Sequence, residues 1–155
     1  MATIIKPPQK VIWDNRKSVF LAGTIDNGAS VDWQSEVERE LAEFDILVLN
    51  PRREQWNPDW EQTIENEEFK EQVNWELDGL EQVDHIFIYF AANSKSPITL
   101  LELGLHAAKN NVVIVCANEF WRRGNIEVVA DRYGIPLFDN LSDGLALLKK
   151  RFVEN

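Results

Sequence analysis

His85-Ile86-Phe87-Ile88-Tyr89-Phe90, followed by Ala91-Ala92-Asn93-Ser94-Lys95-Ser96 and then by Pro97-Ile98-Thr99-Leu100-Leu101-Glu102-Leu103-Gly104-Leu105, is the stretch from which the fold can be read. Its first six residues are apolar with little alternation, the pattern of a strand covered on both faces. A polar loop comes next, and then a helix start, with Ser96 expected as N-cap and Pro97 at the first helical position. The same unit recurs outward. Further strands are expected at 19–22, 46–49, 112–116 and, weakly, 135–138, and helices at 32–44, 60–80, 99–109, 125–133 and 142–152. Strand alternating with helix predicts an α/β fold with a doubly wound, parallel, five-stranded sheet. No internal repeat or linker splits the chain, so residues 1–17 read as an N-terminal extension and 18–155 as one domain.

Composition narrows the function. The 155 residues carry a net charge of −10, which disfavours DNA or RNA as partners, since their binding rests on Lys and Arg. No run approaches a membrane span and the first 18 residues lack a signal-peptide core, so a cytoplasmic location is expected. The single cysteine, Cys116, lies in an apolar run and reads as a buried, inert thiol. Six tryptophans in polar surroundings point to ligand stacking or subunit contacts. There is no Walker A sequence and no G-x-G-x-x-G after the first strand, so nucleoside triphosphate and dinucleotide binding lose their usual supports. No metal and no organic cofactor is expected: His106, four residues after Glu102, makes only a two-ligand pair, and a packed histidine is the better reading.

In a doubly wound sheet, ligands bind outside the carboxyl ends of the strands. The segments expected there are 23–28, 50–53, 91–96 and 118–125. Two acidic residues stand out. Glu102 falls among Ile98, Leu101, Leu103 and Leu105, where desolvation of a carboxylate is costly, so either it serves a site or it lies at the edge of the face and reaches solvent. In the helix before the third strand, the expected apolar stripe is Phe69, Val73, Leu77 and Leu80. Glu76 falls beside it, Asp78 opposite, and Trp75 away from it, where a subunit contact is expected. Two carboxylates in one cleft are the equipment for cleaving a glycosidic bond.

Five segments in order carry a resemblance to the nucleoside 2-deoxyribosyltransferases: 19–25, 50–53, Trp75-Glu76-Leu77-Asp78-Gly79-Leu80, 96–104 with its Glu-Leu-Gly, and Gly124-Asn125. The resemblance implies a flavodoxin-like fold and exchange of the base of a 2′-deoxyribonucleoside by double displacement. It implies Glu102 as the nucleophile and Glu76 as the group that assists proton transfer at the base. Gly23, Thr24, Trp33, Arg52, Asp78, Ser96 and Asn125 are implied at the substrate, with Trp33, Trp56 or Trp121 stacking on the base. Asn125 matches a residue donated by a neighbouring subunit, so a homo-oligomer with shared sites is expected, its partners being small deoxynucleosides and free bases. Ser96 stands where many transferases carry Asp. A related branch, the hydrolases of nucleoside 5′-monophosphates, has Ser there, so an N-glycosidase is the alternative. A non-catalytic nucleotide sensor is the alternative of another class.

Overall fold

The computed structural model describes residues 1–25, 31–53 and 57–154. Its single sheet is all parallel, with six strands in the order β1-β3-β2-β4-β5-β6. The strands are β1 Thr3–Ile5, β2 Ser18–Gly23, β3 Leu47–Leu49, β4 His85–Phe90, β5 Val112–Cys116 and β6 Leu137–Phe138. The five expected strands are all present, and their order is that of a flavodoxin-like sheet. The count is corrected to six because β1 pairs in parallel with β3, Thr3 opposite Leu47 and Ile5 opposite Leu49. Three residues at a sheet edge leave too short a pattern to be read from sequence.

The helices are α1 Trp33–Leu41, α2 Glu67–Gln82, α3 Pro97–His106, α4 Arg123–Tyr133 and α5 Leu141–Val153. Side-chain caps set three of their starts: Asp32 accepts from Ser35 N, Asn66 from Phe69 N and Asn140 from Asp143 N. The Asn66 cap is why α2 begins at Glu67 rather than at 60. Two cores flank the sheet. Phe20, Leu49, Leu80, Ile88, Leu103 and Ile126 pack on one face, beneath α2, α3 and α4. Val19, Leu21, Val37, Phe87, Val115 and Leu148 pack on the other, beneath α1 and α5. Cys116 is buried, as expected. Among the described residues no helix is long and apolar enough to cross a membrane.

The face that α2 turns to the sheet differs from the expected stripe. Gln72, Gly79 and Leu80 are its buried residues, and Trp75 packs beside them on Phe20, ring centroids 6.0 Å apart. A Cβ on Gly79 would stand 2.9 Å from Leu49 and 3.0 Å from Phe20, so this glycine lets α2 lie close to the sheet. Trp75 is therefore not stranded for a subunit contact. The chain's own N-terminal segment covers it, and its Nε1 donates to Gln9 O at 2.8 Å.

Gly23 ends β2 opposite Tyr89 of β4. Its φ of 155° is rarely adopted by L side chains, and a Cβ there would run into the Tyr89 backbone and stand 2.7 Å from the Trp33 ring. Gly23→Ala is expected to destabilise the protein by about 2 kcal/mol or more, through overpacking and backbone strain. A lowered urea midpoint at unchanged slope is the predicted signature; an unchanged midpoint would contradict this account of the contact.

Candidate active site

β2 and β4 are neighbours in the sheet but not in the chain, because the order reverses between them. The loops leaving their carboxyl ends part there and open a crevice. The crevice is a cleft of about 550 Å³ between α2 and α3, floored by Gly23, Thr24 and Pro51. Its α2 wall is Phe69, Val73, Leu77 and Glu76, and its α3 wall is Ser96, Ile98, Leu101, Glu102 and Leu105. Three of the four residues of the expected apolar stripe, Phe69, Val73 and Leu77, thus line the cleft, and only Leu80 packs in the core.

Glu102 is 8% exposed, so it does not reach solvent from the edge of its face. Burial pushes its carboxyl up to about 8, and the charge of Glu76 adds to the rise. Burial likewise raises Glu76 to about 7, opposed by a hydrogen bond with Gln72 that favours the charged form. Gln72, itself buried, is held by Nε2 donating to Pro51 O at 3.4 Å. Each carboxyl is lifted chiefly by lost solvation, and the charge of Glu76 further disfavours ionisation of Glu102.

Ser96 lines the cleft but does not cap α3 with its side chain. It sits in the left-handed region, φ 47° and ψ 52°, and makes no side-chain cap bond. Its hydroxyl lies 2.7 Å from Thr24 Oγ1 and 2.8 Å from Ser94 Oγ. A non-glycine residue held there costs roughly 1 kcal/mol or more, which the surrounding bonds must offset.

Other expected residues lie elsewhere. Trp33 is buried beneath the cleft floor, its Nε1 donating to Thr24 O at 2.9 Å and its ring 5.1 Å from Tyr89, so it supports the loop rather than presenting a face to a base. Arg52 turns toward α1, with Nε 3.7 Å from Asp32 and Nη2 donating to Val31 O at 3.3 Å; its neighbour Arg53 lines the cleft. Asp78 is exposed on the far side of α2, beside Lys10 and Trp75. Asn125 is exposed within the first turn of α4, so it neither caps that helix nor lines this chain's own cleft. Trp121 is 47% exposed, its ring between Lys95 Nζ at 4.2 Å and the Arg122 guanidinium at 4.4 Å. Trp56 and residues 26–28 of the first loop lie outside the described residues. His106 is buried with neither ring nitrogen hydrogen-bonded, and among the described residues no three His, Cys, Asp or Glu are grouped to hold a metal ion. Sequence reasoning missed Gln72 and Ser94; only their buried polar side chains mark them, and burial is not visible in the chain.

A flavodoxin-like sheet with two poorly solvated carboxyls in one cleft defines a class of α/β protein whose cleft holds the groups that acid–base or nucleophilic chemistry uses. Residues 16–120 match the family described as nucleoside 2-deoxyribosyltransferase like, and the chain belongs to that family. No curated protein matches the sequence. Among solved structures, the chain is similar to a conserved protein from Enterococcus faecalis V583, with a TM-score of 0.60 and 12% identity over 88% of this chain and 99% of that one. At that identity the likeness speaks for the fold.

The raised carboxyls carry a stability consequence. A carboxyl whose folded pKa lies above its unfolded value binds protons more readily when folded. Its contribution is full below about 4.5 and is lost as pH rises toward about 8. The wild type is expected to lose stability over that interval by at most about 1.4 kcal/mol per pH unit per carboxyl. Glu76→Gln/Glu102→Gln should flatten the fall, which urea unfolding at the two ends of the interval would read. Parallel pH dependences in both proteins would refute the desolvation of the two carboxyls.

Proposed function

We propose that the protein exchanges the nucleobase of 2′-deoxyribonucleosides through a covalent deoxyribosyl-Glu102 intermediate. One observation carries this reading: two poorly solvated carboxyls, buried Glu102 on α3 and half-buried Glu76 on α2, share one largely apolar cleft. The family supports N-glycosyl chemistry at that cleft. In the first half-reaction a Glu102 oxygen bonds to C1′ as the C1′–N bond breaks. The electron pair leaves with the base, which takes a proton from Glu76. In the second, a ring nitrogen of an incoming base attacks C1′, returns a proton to Glu76, and the ester bond to Glu102 breaks. Poor solvation makes the ionised carboxylate a strong nucleophile, and its weakly screened negative charge stabilises the positive charge that develops on the sugar. The step requires the form in which Glu102 is ionised and Glu76 holds the proton; those two carboxyls then fill both roles, and the reaction needs no metal and no organic cofactor. Exchange of this kind would serve nucleotide salvage.

Incubation of 2′-deoxyinosine with adenine tests the reading. A new nucleoside is expected. Free base with free sugar would instead mark an N-glycosidase, and no change would favour the sensor. Glu102→Ala should lose nearly all turnover while keeping its fold, and a 2-fluoro-arabinosyl nucleoside should label Glu102 in the wild type. A label on another residue would sink the assignment.

A second copy of the chain belongs to this proposal. The exposed face of α3 is apolar: Thr99, Glu102 and His106 are buried together with Leu103, while Ile98, Leu101 and Leu105 are 60%, 58% and 53% exposed. Those three apolar side chains also line the cleft, so a partner seated on them would exclude water from it. Asn125, remote from its own cleft, is then available to a neighbour's. Mixing inactive Glu102→Ala with inactive Asn125→Ala under subunit exchange should restore part of the activity, because one pocket of a mixed pair has both residues. A fully exchanged mixture that stays inactive, or an active monomer on sedimentation, would refute shared sites.

A further inference from the structure

Three hydroxyl groups from two segments far apart in the chain meet beneath the cleft wall. Thr24 Oγ1 follows β2, Ser94 Oγ lies in the loop after β4, and Ser96 Oγ opens α3. Their oxygens stand 3.0 Å (Thr24–Ser94), 2.7 Å (Thr24–Ser96) and 2.8 Å (Ser94–Ser96) apart, and all three residues are at most 6% exposed. The cluster is anchored at both ends. Ser94 Oγ donates to Ala91 O at 3.0 Å, and Ala91 N donates to Thr24 Oγ1 at 3.0 Å. Thr24 and Ser96 line the cleft; Ser94 stands behind them. This cluster over-determines the left-handed Ser96, and strain that persists in this way collects at ligand sites.

We propose that Ser94 and Thr24 are positioning residues that hold the Ser96 hydroxyl at the cleft wall as the contact for an uncharged hydroxyl of the substrate's sugar. The inference rests on the nucleoside reading above and specifies its substrate. A hydroxyl both donates and accepts, so Ser96 can turn its proton toward the ligand or toward its neighbours and match a group that does the same. A phosphate has different needs, namely fixed donors or cations. Arg53 is the one cation among the described residues of the cleft, and Lys95 Nζ lies over the Trp121 ring instead. Residues 26–30 and 54–56 contain no Lys or Arg. Glu76 and Glu102 in the same cleft would repel a dianion once ionised.

The test compares wild type, Thr24→Val, Thr24→Ser and Ser94→Ala. Each is given 2′-deoxyadenosine, its 3′-deoxy and 5′-deoxy analogues, and its 5′-monophosphate. Calorimetry reads binding, and base exchange or release reads turnover. The wild type should prefer the nucleoside to the monophosphate and discriminate against one sugar-deoxy analogue. Thr24→Val and Ser94→Ala should each raise KM for the full nucleoside by about three- to tenfold, the size of one net hydrogen bond. Neither should change KM for the disfavoured analogue, and Thr24→Ser should behave as wild type. Equal losses on every substrate would reduce the cluster to a structural role and overturn the proposal. So would a wild type that prefers the monophosphate or treats both analogues like the parent compound. Those outcomes leave nucleoside turnover standing, whereas a wild type that neither binds nor cleaves any of the compounds defeats the nucleoside reading and the inference with it.

Discussion

The pairing of β2 with β4 is the constraint on which the rest of the molecule depends. Gly23 lies opposite Tyr89, and Thr24 N continues the ladder by donating to Tyr89 O at 3.0 Å. No side chain fits between these backbones, so the two loops leave the sheet in close contact. The polypeptide then departs in opposite directions along the sheet, and a crevice must form at that point. Trp33 beneath the floor and the hydroxyl cluster beside it fix the crevice from two sides.

Set into that crevice, the two carboxyls are costly for the fold and useful to chemistry for one reason. Water that would have solvated them has been replaced by Phe69, Val73, Leu77 and Leu101. Lost solvation raises both groups and makes the folded state less stable as pH rises through the interval in which they ionise. On the proposed reaction, the same loss is what would make an ionised Glu102 reactive. A stability cost concentrated at a site, with a well-packed core on each face of the sheet to carry it, is what a functional cleft predicts.

Helix α3 joins this site to the exterior. Its polar residues Thr99, Glu102 and His106 face inward while Ile98, Leu101 and Leu105 face outward, unlike a helix that folds only to cover a sheet. Leu103 and Ala107 supply its attachment to the core. The outward face is uncharged in a chain of net charge −10, which makes it the place where two copies would approach at least electrostatic cost.

The sequence by itself determined the parallel, doubly wound architecture, because unbroken apolar runs such as 85–90 and 112–116 can be satisfied only by cover on both faces. It also pointed to Glu102 and Glu76, since carboxylates among or beside apolar residues are legible one position at a time. It could not show β1, whose three residues become a strand only where β3 offers an edge. It misread the inward face of α2, where Gly79 and Trp75 rather than Phe69 and Val73 meet the sheet, because a helix with two apolar stripes does not say which one is covered. Tertiary structure alone decided that Arg53 rather than Arg52 enters the cleft, that Trp33 lies under the floor, and that Thr24, Ser94 and Ser96 touch. Those outcomes turn on which segments the strand order brings together, and contacts between residues some 70 positions apart leave no local pattern in the chain.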